Sequence, residues 1–307
     1  MRNAFADEVT QLAAQDSRVV LLSGDIGNKL FDNLKKVDEA RFFNCGIAEA
    51  NMMGVAAGMA LSGLRPIVYT ITPFTTTRCF EQIRVDACYH NVPVIIVGTG
   101  SGLSYAELGP THHSLEDMAI LRTLPGMSVL APCDANELRG ALRAALRQDG
   151  PVYIRIGKKG EPKIFNDVPD LKIGKVALVR SGTDVALLST GTMMPEVLAA
   201  ADALSTLGVS AEVVSVHSVK PLDGGYLREA SSRVKMIVTI EEHGVIGGLG
   251  SAVAEWRSIE GYSIPHMIFG TPDEFMHEVG TQEYARHKYG LVASNIVKKI
   301  SATLKAG

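Results

Sequence analysis

The chain has 307 residues, 46% of them hydrophobic and 21% charged, with a formal net charge of −3. That length suggests about two domains with a sizeable core, and the charge balance excludes the electrostatic footprint of a nucleic-acid or anionic-membrane binder. Cys45, Cys79, Cys88 and Cys133 stand in no CxxC or metal-ligand spacing, which fits reduced thiols in a cytoplasmic protein. The amino-terminal stretch lacks a signal peptide's apolar segment, and no apolar run is long enough to span a membrane.

Helical and strand patterns then alternate. A helix over Asn3 to Gln15 leads to the apolar run VVLL (Val19 to Leu22), a buried strand that ends in the loop SGDIGN. A strand at Phe42 to Asn44 precedes a segment in which Ala50 to Leu64 holds no Asp, Glu, Lys or Arg. A helix this apolar on every side is expected to be buried. PIVYTI, a helix near Thr75 to His90, and PVIIVG follow. Ser114 with Asp117 reads as a helix N-cap pair, SVLAP as a strand, Asp134 as the cap of a helix through Arg147, and VYIRI as the closing strand. Prolines, glycines and scattered charge then interrupt the pattern. A second alternation runs through DVALLS, EVLAAADALSTL, AEVVSV, MIVTIEE, SAVAEW, IPHMIF and a lysine-rich terminal helix. The expected fold is α/β, with two tandem domains, each a mostly parallel sheet covered by helices. The expected layout is a first domain over 1–165, a linker over 166–180 and a second domain over 181–307.

Ligands in open α/β sheets bind beyond the carboxyl ends of the strands. In the first domain the loops there gather Asp25, Lys29, Glu49, Phe74, His112 and His113. Glu49 opens the uncharged helix, where low dielectric favours the neutral acid; by itself, such an acid merely complements a helix N-terminus. Adjacent His112 and His113 point opposite ways on an extended loop, so one faces solvent and the other is placed for proton transfer. Gly98, Gly100 and Gly102 make no dinucleotide fingerprint, and GGLG at Gly247 to Gly250 reads as a tight turn or a weak phosphate cradle.

GIAEANMMGVAAGMALSGLRPIVY and GPTHHSLEDMAILRTLPGMSVLAP resemble the pyrimidine-binding domain of thiamine diphosphate enzymes of the transketolase group. EEHGVIGGLGSAVAE and the late YGL resemble the C-terminal domain of the same group. The resemblance implies that Glu49 hydrogen-bonds N1′ of the aminopyrimidine and favours the imino tautomer that takes the thiazolium C2 proton. It also implies that Phe74 stacks on that ring, that Asp25 lies on the cofactor side, and that His112 contacts substrate oxygens. Lys29 sits in the first cofactor-side loop as a substrate candidate.

The family's diphosphate- and metal-binding Gly-Asp-Gly motif does not occur. The resemblance therefore implies the C-terminal half of a split transketolase. A separate N-terminal subunit would supply the diphosphate site and the Mg2+ (or Ca2+), in an α2β2 assembly acting on sugars or sugar phosphates. Leu108 stands where the family usually has an acceptor-reading Asp, and Gly100 where it has a histidine, which implies unusual selectivity. Arg155 and Lys158 are the nearest cations to the family's phosphate arginine, closer to the pattern of deoxyxylulose-phosphate synthase, and Arg2 aligns with another phosphate contact. The β subunit of a 2-oxo acid or acetoin dehydrogenase and a non-catalytic, partner-binding paralogue are the alternatives.

Overall fold

The computed structural model describes residues 1–306. Six short apolar runs form the first sheet: β1 (Val19–Ser23), β2 (Phe42–Asn44), β3 (Arg65–Ile71), β4 (Ile95–Thr99), β5 (Ser128–Leu130) and β6 (Val152–Ile156). They pair in parallel in the order β5-β6-β4-β3-β1-β2. Strands covered on both faces need no polar alternation, which is why β1, β4 and β6 are buried throughout. One face packs on the Arg2–Gln15 and Ala135–Leu146 helices, the other on the Glu49–Leu61 helix.

The second sheet comprises β7 (Ala177–Arg180), β8 (Val185–Ser189), β9 (Ala211–Ser215), β11 (Met236–Gly244) and β12 (His266–Thr271), in the order β12-β11-β8-β9-β7. Its edge strand β7 is antiparallel to β9 and begins within the stretch expected to be linker. Between β9 and β11, the three-residue strand β10 (Ser218–Lys220) leaves this sheet and pairs antiparallel with β5. The second half of the chain thus completes the first sheet.

Three expectations are corrected. The Glu49–Leu61 helix, uncharged after its first residue, buries Met52, Met53, Ala56 and Ala57 but leaves Asn51, Val55, Gly58 and Leu61 exposed. The helix expected near Thr75 to His90 is broken into an α-turn at Thr72–Thr75, a 3-10 turn at Thr77–Cys79 and a π-helical stretch at Ile83–Tyr89. The hydroxyls of Thr75, Thr76 and Thr77 donate to the carbonyls of Thr72 and Pro73, competing with the backbone ladder. Ser114 and Asp117 make no cap: the helix begins at Asp117 without a side-chain cap bond, and the Ser114 hydroxyl has no partner among the described residues. Asp134, as expected, accepts from Glu137 N and caps its helix.

Buried titrating groups tie stability to pH. Burial pushes His266 and His243 down to about 4 from the ordinary 6.5. Between those values the unfolded chain takes protons that the folded chain refuses, so both contributions are lost as pH falls from 6.5 to 4. Glu241, raised by burial to about 7 from 4.5, acts with the opposite sign across nearly the same window. His266→Gln keeps a partner for the Thr239 hydroxyl, 3.0 Å from Nε2, without titrating. It is expected to flatten the pH dependence between 4 and 6.5 by on the order of 2 kcal/mol, allowing for partial exposure, in urea titrations at stepped pH.

Candidate active site

All strands of the first sheet except β10 point the same way, so the loops after β1, β2, β3 and β4 emerge at one edge, the default ligand edge of such a sheet. Glu49 follows β2, Phe74 and Arg78 follow β3, and His112 follows β4.

Glu49 is 2% exposed, yet its setting is not the uncharged one expected. Arg78, supplied by the broken helix, places Nη1 2.9 Å from both carboxylate oxygens. Its guanidinium lies 4.0 Å from the centroid of the Phe74 ring. Charge, hydrogen bonding and stacking thus converge on one planar cation. The His112 ring meets Phe74 edge-on at 5.4 Å and Tyr105 at 6.0 Å between centroids. Its Nδ1 is 2.9 Å from Thr111 Oγ1, leaving Nε2 for a ligand oxygen. His113 is the buried member of the pair, and burial lowers its pKa. Glu49, Phe74 and His112, expected on separate loops, are therefore neighbours.

The other expected site residues part company. Asp25 is exposed after β1, at φ 53°, and accepts from Asn44 Nδ2 at 3.0 Å. Lys29 is exposed on the Asn28–Phe31 turn. Arg2 is partly buried, with Nε lacking a partner among the described residues. Leu108 is half-exposed on the loop that carries His112. Lys158 pairs with Glu107 and sits 4.4 Å over the Tyr105 ring.

Arg155, expected to meet a substrate phosphate, is the clearest correction. It is 2% exposed and donates to Asp117 Oδ2 at 2.8 Å and to the carbonyls of Ser114 (2.6 Å) and Glu242 (3.0 Å). Its charge and hydrogen bonds are spent inside the protein, as a buried guanidinium requires. Burial, the largest single influence, raises the Asp117 pKa, but the Arg155 charge, the neighbouring His243 and the hydrogen bonds from Tyr153 and Arg155 together outweigh it and hold the carboxyl below its ordinary range. Tyr153 donates to the same oxygen at 2.6 Å.

The pair belongs to a clamp on the His112 loop. Glu242, near the end of β11, accepts from Leu103 N at 2.7 Å and from Gln282 Nε2 at 2.8 Å, and also pairs with Arg286. Gly102 is required beside it: at φ +60°, a Cβ there would lie 2.4 Å from Glu242 Oε1. The second domain therefore positions the loop that brings His112 to Phe74.

Arg78, Tyr105, Asp117 and Glu242 are the residues that motif reasoning missed. One signal was available for Arg78: it is the single charged residue between Arg65 and Glu81, on a loop that also carries an expected site aromatic.

The chain matches the transketolase pyrimidine-binding domain over residues 1–162 and the transketolase C-terminal domain over 174–296. It belongs to the transketolase family. It is 38% identical to the 6-deoxy-6-sulfo-D-fructose transketolase subunit SqwH of Clostridium sp. (strain MSTE9), over 97% of this chain and 92% of that protein. It is 36% identical to one of the subunits of the apulose-4-phosphate transketolase of Phocaeicola vulgatus, over 97% of this chain and 95% of that protein. A solved structure described as a split gene transketolase, inactive beta4 tetramer, superposes with a TM-score of 0.90 at 36% identity, covering 99% of this chain and 97% of that one.

The Glu49–Arg78 pair can be tested by itself. Arg78→Met leaves a buried carboxylate without its charge partner and is expected to cost on the order of 1 kcal/mol, Arg78 being partly exposed. Adding Glu49→Gln should recover part of that loss. A double-mutant cycle by chemical denaturation measures both; additive effects would mean that the pair contributes nothing.

Proposed function

We propose that this chain is the pyrimidine-binding subunit of a two-chain, thiamine diphosphate-dependent transketolase. It would move a two-carbon ketol unit from a ketose or ketose phosphate to an aldehyde, with selectivity unlike that of the standard pentose phosphate enzymes. The observation that carries this reading is the convergence of a buried carboxylate, an aromatic face and a histidine at one sheet edge. The relatives matched along nearly their whole length, themselves named as transketolase subunits, support it.

The residues fit the cofactor's pyrimidine. Arg78 already holds a flat N–C–N group against Phe74 and hydrogen-bonded to Glu49, the demands that an aminopyrimidine edge makes of the same two side chains. Its side chain is 42% exposed, so it can swing outward and free both partners. Glu49 would then hold its hydrogen bond at the ring nitrogen, shielded from water, and Phe74 would pack against the ring. His112, paired through Nδ1 with Thr111, would present Nε2 to substrate oxygens. Bound thiamine diphosphate supplies the electron sink for carbon–carbon cleavage.

The diphosphate and its divalent cation, Mg2+ or Ca2+, would be held by an N-terminal partner subunit carrying Gly-Asp-Gly, in an α2β2 heterotetramer. The four free thiols favour a cytoplasmic setting. Within the assembled enzyme, Glu49→Gln is expected to lower kcat by at least two orders of magnitude while leaving assembly intact. Size-exclusion chromatography and single-turnover kinetics check the two halves; unchanged turnover would remove Glu49 from the chemistry.

A further inference from the structure

The Gly100–Tyr105 contact is tighter than chain connectivity requires. Gly100 has φ +81°, and a Cβ built there would lie 2.0 Å from Tyr105 Cε2 and 2.2 Å from Cδ2. The ring occupies the space that any side chain at position 100 would need. Tyr105 is 8% exposed, its ring edge-on to His112. The Lys158 ammonium covers it at 4.4 Å and is itself paired with Glu107. The ring is thus locked between glycine backbone and a neutralised cation, beside the histidine that the proposed function assigns to substrate oxygens. Leu108, on the following turn, adds no polar group.

We propose that Tyr105 is a specificity-determining residue of the acceptor site, an aromatic wall that selects aldehydes lacking a hydroxyl on the carbon next to the aldehyde. The inference rests on the transketolase reading above. Its physical basis is desolvation: a hydroxyl pressed against the ring carbons, away from the phenol oxygen and from Lys158, loses water and meets no donor or acceptor there, whereas a CH2 group packs there without that penalty. Gly100 takes part by leaving room for the ring and by carrying no side chain that could serve as a donor or acceptor.

The test uses the assembled enzyme with hydroxypyruvate as ketol donor and a matched acceptor pair, 2-deoxyribose 5-phosphate and ribose 5-phosphate. Wild type is expected to use the deoxy acceptor with kcat/KM at least equal to that for ribose 5-phosphate. Tyr105→Ser, which opens the wall to water, is expected to move the ratio at least tenfold toward ribose 5-phosphate, mainly through KM. Tyr105→Phe, which keeps the ring, is expected to leave the ratio within twofold of wild type. A ratio unmoved in Tyr105→Ser, with kcat falling equally for both acceptors, would reduce Tyr105 to a packing residue and overturn the proposal. A wild-type preference for ribose 5-phosphate would overturn it as well.

A second measurement is independent of turnover. Gly100→Ala is expected to lower Tm more in wild type than in the Tyr105→Ser background, since the clash needs the ring; equal losses would overturn the lock. Transfer to neither acceptor by a cofactor-loaded complex would instead refute the transketolase reading, and the selectivity assignment with it, whatever the Tm cycle shows.

Discussion

One buried guanidinium holds the site together. Arg155 bonds Asp117 and the carbonyl of Ser114 in the first domain and the carbonyl of Glu242 in the second. Burying a charge this deeply is tolerated only when it is paired and hydrogen-bonded, and the matching partners come from both domains. The bridge to Glu242 fixes Ser114, the antiparallel bridge between Ser114 and Gly102 closes the loop stem, and the loop delivers Tyr105 and His112. Position at the carboxyl edge of the sheet is thus inherited from a clamp set back from that edge. The short strand β10 adds a second tie, carrying the chain back from the second domain to complete the first sheet.

A second ion pair governs the edge itself. Glu49 is buried at a helix N-terminus, where the dipole favours its negative charge, and Arg78 completes the neutralisation from a loop 29 residues away. The same guanidinium stacks on Phe74, so one side chain touches both groups expected to receive the cofactor ring. Its exposure makes this arrangement reversible, whereas the Arg155 pair is sealed. The two arginines therefore differ: one is structural because it is sealed in, the other is partly exposed and has room to move.

Much of this was legible in the residues alone. The parallel strands appear as continuous apolar runs because both faces are covered, and the turns between them are marked by glycine, proline and Asp134. Glu49, Phe74 and His112 were readable as loop residues at the expected edge, and the motifs GIAE and GPTH pointed to the family that the domain matches establish. What was not legible depends on long-range pairing. No local pattern says that Arg155 turns inward to Asp117, or that Arg78 reaches Glu49. The threonine run after Pro73 concealed the break in the helix, because residues that bond their own backbone look acceptable to a periodicity argument. Strand β10 is too short to announce itself, and the Gly100–Tyr105 lock is visible only once the loop has closed.

The central claim is that Glu49 and Phe74 form the seat of a nitrogen heterocycle from which Arg78 withdraws. A crystal structure of this chain assembled with a Gly-Asp-Gly partner and thiamine diphosphate tests it most directly. The account predicts the aminopyrimidine against Phe74, a ring nitrogen hydrogen-bonded to Glu49, and Arg78 displaced from both carboxylate oxygens. Arg78 still bound to both oxygens, with the ring seated elsewhere, would contradict it.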